Sequence, residues 1–270
     1  MYNQFYGFGE APFNITPDPR FLFMSDRHRE AFNHILFGIR ERKGFIQLTG
    51  EVGAGKTTVC RAILEELGPT VKTALILNPV MTSNQLLKAI LRELGLQPPK
   101  ADRVTHLEML NRFLLEQLAL GNDVVLLIDE AQDLELDLLE QIRLLSNLET
   151  DQRKLLQIVL VGQPELRDKL DDRRLRQLRQ RITVRYHLAP LSRRETERYI
   201  LHRLHVAGGN GRPSFNGWAF RSIHRYSGGV PRLINAVCDK ALLCGYVTGT
   251  ERLTLAHVRR AIRELEGNFS

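Results

Sequence analysis

Cysteine is scarce and odd in number: Cys60, Cys238 and Cys244 are the only three in 270 residues, and their spacing is not that of metal ligands. This leaves little support for a disulfide framework or a cysteine-based zinc site, and a reducing cytoplasm is the expected compartment. Long apolar runs are missing as well. No uninterrupted stretch approaches the ~18 to 20 apolar residues that cross a bilayer, and the N-terminus lacks the basic segment and apolar core of an export signal. A soluble chain without a membrane span is expected.

What is present is a hydrophobic content of 43%, enough for a substantial core in one large or two smaller domains, and a formal net charge of +7. The charge is local. Between residues 165 and 205, eleven arginines and one lysine face six acidic residues, and "DRRLRQLRQRI" at 172–182 alone carries five arginines. A basic stretch of this kind serves either as a solvated helix face or as a contact for phosphate groups.

The stretch "FIQLTGEVGAGKTTVCRAILEEL" begins with an apolar run at Phe45–Leu48, passes a glycine-rich turn and continues with helical periodicity at Val59, Ile63 and Leu67. Within it Gly50, Gly53, Gly55, Lys56 and Thr57 match G-x-x-x-x-G-K-[ST], in the strand-loop-helix context that this phosphate-binding motif requires. Backbone N–H groups must converge on phosphate oxygens, and side chains at the glycines would obstruct them. Gly50, Glu51, Val52, Gly53, Ala54, Gly55, Lys56, Thr57 and Thr58 are therefore the expected cradle for ATP. Lys56 supplies charge to the β and γ phosphates, Thr57 offers a hydroxyl to Mg²⁺, and the start of the following helix favours the anion.

Acidic groups are expected from a neighbouring strand, and "DVVLLIDEAQDL" supplies them: Val124–Ile128 reads as a buried strand ending in Asp129 and Glu130. Asp129 is the candidate that holds magnesium through water. Glu130 is the candidate that orients and deprotonates the attacking water, which points to hydrolysis rather than binding alone. Further apolar runs at 73–78, 155–162 and 182–188 alternate with helical stretches near 83–94, 103–120, 135–148 and 164–178. Strands alternating with helices predict an α/β fold, a parallel sheet covered on both faces. After Pro190 only helical patterns remain, the first opened by a Ser192/Glu195 capping box. Three segments are expected: a leader and linker helix over 1–43, a nucleotide-binding domain over 44–190, and a small all-helical lid over 191–270.

A nucleotide-binding α/β domain followed by a helical lid resembles the P-loop AAA+ ATPases. "SGGVPRLIN" places Arg232 where that family has its sensor-2 arginine, and "LVGQPEL" places Gln163 at the strand end of sensor 1, where Asn, Thr or Ser is more usual. The leader "FYGFGEAPFNITPDPRFLFMSDRHREAF", with "LTGEVGAGKTT", "DEAQ", "LVGQPEL", "LRQRI" and "GGVPRLIN", resembles the ExeA-like group, the general secretion pathway protein A family, over nearly the whole chain. The resemblance implies that Pro12, Phe13, Phe21 and Phe23 pack beside the base, with ordinary core packing as the other reading. It further implies an arginine before the last strand that enters a neighbour's active site: Arg181 first, then Arg179 and Arg176, with Arg173 and Arg174 solvated or supporting the interface.

What this implies functionally is an ATP-hydrolysing switch that forms nucleotide-dependent homo-oligomers, ring-like in the family. Its client would be a protein of a bacterial envelope machine for secretion, pilus assembly or polysaccharide export. The chain would be cytoplasmic or held at the inner membrane through partners. DNA is the partner under the alternative reading, a DNA-associated AAA+ regulator of transposition or replication type. A scaffold with negligible turnover is a third reading, and Glu130 argues against it.

Overall fold

Short runs of Val, Ile and Leu separated by helical segments fold as the strands of one parallel sheet. The computed structural model describes residues 2–14, 18–100, 102–150 and 153–267, so part of the leader, 15–17, lies outside the described residues. In chain order these form α1 (Tyr2–Tyr6), α2 (Asp26–Arg40), β1 (Phe45–Gly50), α3 (Lys56–Leu67), β2 (Val71–Ile76), α4 (Ser83–Glu93) and α5 (Arg103–Ala119). They continue with β3 (Asp123–Ile128), α6 (Leu136–Leu145), β4 (Gln157–Gly162), α7 (Glu165–Leu170), α8 (Arg176–Arg181) and β5 (Ile182–Leu188). The last part holds α9 (Arg193–Val206), β6 (Ser214–Phe215), α10 (Gly217–Ser227), α11 (Pro231–Val247), β7 (Arg252–Leu253) and α12 (Leu255–Leu265). Contacts divide the chain into two compact units, one of residues 28–50 and 59–188, the other drawn from 1–27, 51–58 and 189–270.

In the first unit the five strands pair in the order β2-β3-β4-β1-β5, all parallel. The central strands β1 and β4 are buried along their full length, as continuous apolar runs in a covered parallel sheet should be. Phe45, Leu126, Ile158, Leu160, Leu166, Leu178 and Ile182 belong to one core cluster with helix residues such as Leu86, Ile90, Leu110 and Ile142. Each such side chain contributes about 1.5–3 kcal/mol by leaving water, so truncating Leu160 to alanine would cost about 2–5 kcal/mol. At the sheet edge, β5 is buried at its ends, Ile182 and Leu188, and alternates exposed and half-buried residues between them. Because all strands run the same way, β1 and β3 end on one edge of the sheet, at Gly50 and Ile128. Ligands of open α/β sheets bind outside that edge.

The helical pattern at 164–178 resolves into two short helices. Asp172 accepts a hydrogen bond from the Arg174 backbone N–H at 2.9 Å and starts a separate 3-10 turn at Arg173–Leu175, so α7 stops at Leu170 and α8 begins at Arg176. Helix α6 likewise ends at Leu145, where the Ser146 hydroxyl donates to the Arg143 carbonyl at 2.7 Å and turns the chain.

The second unit is mainly helical. Tyr199, Ile200, Phe220, Ile223, Ile234, Val237, Leu242 and Val258 form its core, and leader residues Tyr6, Phe8, Phe13 and Phe21 are buried in the same cluster. Arg203 ties the leader down: it donates to the carbonyls of Pro12 and Asn14 and to the Tyr199 hydroxyl, with its guanidinium 4.8 Å from the Phe21 ring centroid. The Ser192/Glu195 capping box opens α9. Two-residue strands β6 and β7 pair in parallel between the helices, an addition to the helical pattern too short to leave a periodic signal. The Leu191 N–H donates to the Gly229 carbonyl at 2.9 Å, and Gly229 has φ +82°; a Cβ there would lie 2.0 Å from the Leu191 oxygen, so only glycine fits.

Candidate functional site

The chain leaves β1 at Gly50, turns through Glu51–Gly55 and enters α3 at Lys56. Gly53 and Gly55 have φ of +78° and +101°, a region open to glycine. The Ala54 N–H closes the turn on the Glu51 carbonyl at 3.1 Å. Lys56 is 6% exposed and its Nζ donates to the Glu51 carbonyl at 3.1 Å, so the ammonium folds back over its own loop, where a phosphate would supply stronger acceptors. Val52 projects, half exposed, at the loop tip. Thr57 and Thr58 occupy the first turn of α3, where the helix dipole favours an anion.

Arg232 belongs to the same unit as this loop. It stands in the first turn of α11, directly after Pro231, and its backbone N–H donates to the Gly53 carbonyl at 3.3 Å. The approach is close enough that a Cβ on Gly53 would lie 2.4 Å from the Arg232 Cβ. The Arg232 side chain is exposed and its guanidinium has no hydrogen-bond partner among the described residues.

In the sheet unit, Asp129 follows β3, is 4% exposed, and its N–H donates to the Ile76 carbonyl at 2.8 Å. Its Oδ1 accepts from the Glu130 N–H at 2.9 Å. Glu130 has φ +51° and ψ +38°, a left-handed conformation that costs a non-glycine residue roughly 1–2 kcal/mol. Its carboxylate is held by two amides: Gln132 Nε2 donates to Oε2 at 2.8 Å and Gln163 Nε2 to the same oxygen at 3.3 Å. Gln132 Oε1 accepts from the Gln163 backbone N–H at 3.0 Å, and Lys169 of α7 donates to the Gln132 and Leu134 carbonyls. No sequence motif marked Gln132 or Lys169; the one signal was the glutamine after "DEA", whose destination depends on β4 lying beside β3.

The arginines of 172–182 are used unequally. Arg181 donates to Asn147 Oδ1 at 2.7 Å, to the Ser146 hydroxyl and, at 3.4 Å, to the Arg143 carbonyl, so it caps the C-terminal end of α6. Arg179 pairs with Asp171 at 3.0 Å and Arg174 with Asp172 at 3.0 Å. Arg173 and Arg176 are exposed, and their side chains have no hydrogen-bond or ion-pair partner among the described residues.

No group of three or more histidine, cysteine, aspartate or glutamate residues suited to a metal occurs among the described residues. Each taken in its own unit, the Thr57 hydroxyl and the Asp129 carboxylate are hard oxygens of the sort Mg²⁺ accepts while keeping most of its waters. Among the described residues no helix is long and apolar enough to cross a membrane.

A parallel sheet in this strand order, a glycine loop between its first strand and a helix, and an acidic pair after β3 define the P-loop AAA+ class. Residues 39–170 match the family described as AAA domain. The chain is 47% identical over 268 residues to general secretion pathway protein A of Aeromonas hydrophila, a match that takes in 99% of this chain and 49% of that protein. The chain belongs to this ExeA-like family of AAA+ proteins, and it spans about half the length of the curated relative it matches. Solved structures share the fold: Cdc6p from Pyrobaculum aerophilum aligns with TM-score 0.72 at 19% identity over 94% of this chain and 70% of its own. The Aeropyrum pernix ORC2 protein in ADPNP–ADP complexes aligns with TM-score 0.69 at 18% identity over 96% and 72%.

Proposed function

We infer that the chain binds ATP·Mg²⁺ and hydrolyses it to ADP and phosphate as a switch serving a bacterial envelope machine. The observation that carries the hydrolytic part is Glu130: a carboxylate held in a left-handed backbone conformation and gripped by Gln132 and Gln163 beside Asp129. Such strain persists where the surrounding structure enforces it, and it is concentrated at functional sites. The loop from Gly50 to Thr58 holds the phosphates, with Lys56 released from the Glu51 carbonyl to neutralise them. Thr57 and Asp129 hold Mg²⁺, which supplies charge stabilisation at the phosphates when bound. Glu130 takes the proton of the attacking water, Gln163 orients Glu130, and Arg232 reports the γ phosphate to α11.

Nucleotide-dependent self-association completes the reading, with an arginine of α8 reaching the neighbouring subunit. Arg181 is the sequence's first choice, but it must abandon its cap on α6 to do so; Arg176 is the α8 guanidinium with no such tie. The envelope client rests on kinship with general secretion pathway protein A. The leader stacking beside the base and the division at 43 and 190 stand as parts of the same proposal, as does a cytoplasmic location at the inner membrane through partners. Binding to DNA is the second reading, favoured by the exposed Arg173 and Arg176 in a basic stretch.

Glu130→Gln tests hydrolysis. The variant keeps the shape and loses the base, so ATP affinity stays while turnover falls at least ~100-fold, read by phosphate release at saturating ATP and by equilibrium binding. Unchanged turnover removes Glu130 from the chemistry. Salt-dependent DNA binding that Arg173→Ala and Arg176→Ala each weaken, with hydrolysis intact, would favour the second reading.

A further inference from the structure

Between β5 and the helices α7 and α8 lies a cleft of about 260 Å³, formed wholly within the sheet unit. It shares no residue with the phosphate loop. Its floor comes from β1: Thr49 is 1% exposed and Gln47 5% exposed. Opposite them in register on β5 stand His187 and Arg185, and the rim is completed by Arg167 of α7 and Arg179 of α8.

Two observations set this cleft apart from a solvated basic edge. The Gln47 side chain is buried to more than nine-tenths, lines the cleft, and its amide has no hydrogen-bond partner among the described residues. Among the described residues the enclosed side-chain polar atom without a partner is His202 Nε2, so the Gln47 amide opens onto the cleft, where it can bond an incoming ligand. The rim arginines are also positioned in advance. Arg185 donates to the Arg179 carbonyl at 2.7 Å, and Arg179 is braced by Asp171 at 3.0 Å. Thr49 Oγ1 and His187 Nδ1 are 3.1 Å apart, so a donating threonine leaves the Nε2 proton of neutral His187 available as a further donor.

The inventory defines the ligand. Donors predominate, and three guanidiniums against one carboxylate, Asp171, leave an excess of two positive charges around the cleft. A phosphate monoester carries about −1.5 to −2 charges near pH 7 and several acceptor oxygens, and arginine binds phosphate in fork geometry. The volume is below the ~300–1,000 Å³ of sites that enclose drug-sized ligands. We propose that this cleft binds a phosphate monoester dianion, independently of the nucleotide at the loop, with Gln47, Arg167, Arg179 and Arg185 as its ligating residues. A small free phosphate ester and a phosphorylated side chain of a partner protein present this same chemistry.

The test uses the full chain carrying Lys56→Ala, which weakens phosphate binding at the loop. Inorganic phosphate, glycerol 3-phosphate and a phosphoserine peptide are titrated at low salt and binding is read by calorimetry, with the exposed Arg225→Gln as control. Saturable binding is expected, weakened at least tenfold by Arg185→Gln and by Gln47→Leu, partly kept by Arg185→Lys, and unaffected by the control. Tighter binding of glycerol 3-phosphate assigns the free ester as source; tighter binding of the peptide assigns the phosphorylated protein. Absence of binding by all three probes, or equal binding by wild-type and Arg185→Gln clefts, overturns the proposal. Arg185 sits on the exposed edge, so its variants keep the test meaningful if Gln47→Leu unfolds the chain, and neither result depends on whether ATP is hydrolysed.

Discussion

Adding one methyl group to the phosphate loop, Gly53→Ala, tests how the loop is built. The new Cβ would stand 2.4 Å from the Arg232 Cβ, where carbon atoms in contact prefer about 3.5–4.0 Å. Neither atom is the far end of a flexible side chain, since the Arg232 Cβ is fixed to the first turn of α11. Alanine at φ +78° costs roughly 1–2 kcal/mol by backbone sterics, and forcing the two backbones apart costs about 1–3 kcal/mol more as overpacking. The combined ~2–5 kcal/mol should lower the melting temperature by several degrees and weaken ATP binding, because the loop must leave its phosphate-ready shape. Differential scanning fluorimetry and titration with a fluorescent ATP analogue read the two effects. The same substitution in an Arg232→Gly background removes the facing Cβ, so only the backbone part should remain and the loss should shrink by about 1–3 kcal/mol. Equal losses in both backgrounds would refute the contact as the cause and leave only the dihedral angle.

Lys56→Ala should weaken ATP binding roughly 10- to 150-fold, the worth of one hydrogen bond to a charged group, as measured by equilibrium titration; wild-type affinity would withdraw the phosphate loop assignment. Arg176→Ala should abolish hydrolysis at unchanged melting temperature and recover activity when mixed with Lys56→Ala subunits, whereas Arg181→Ala should lower the melting temperature by releasing the end of α6. The reverse pattern would return the trans role to Arg181. His202 and His224 are both held below the usual imidazole value, first by burial and then by neighbouring Arg203 and His205, or Arg193. Below about pH 6.5 the unfolded chain takes up protons that the folded chain resists. Stability should therefore be level above that pH and fall as the pH drops below it. Melting curves from pH 8 to pH 5 that are flat for wild type would contradict the burial of these rings.

The strands were readable because a covered parallel sheet demands continuous apolar runs, and the β5 pattern at 182–188 coincides with the observed strand. The phosphate loop was readable because its chemistry fixes residue types at fixed spacing. Other features depend on where distant segments meet. The Asp171–Asp172 break in the 164–178 helix is a side-chain bond to the backbone, available in principle to any Asp and decided by the turn it enters. Gln132 bridges Glu130 and Gln163 only because β3 and β4 are neighbours, which a linear pattern does not state. Arg181 stood first in the basic run as the arginine reaching a neighbour, yet α6 ends within its reach, which the run itself does not state. The leader aromatics belong to the helical core through Arg203, a residue almost two hundred positions away that no local motif marks.

The hydrogen bond from Leu191 to Gly229 gives the helical unit a short load path. Leu191 lies three residues beyond the end of β5, and Gly229 lies three residues before Arg232, which touches Gly53. A pull on the segment at Leu191 is therefore delivered to the phosphate loop across two hydrogen bonds and four residues of backbone, passing through only the first two residues of α11. A Gly229 substitution would act like a slipped coupling: folded helices and an intact loop, with force at one end no longer arriving at the other.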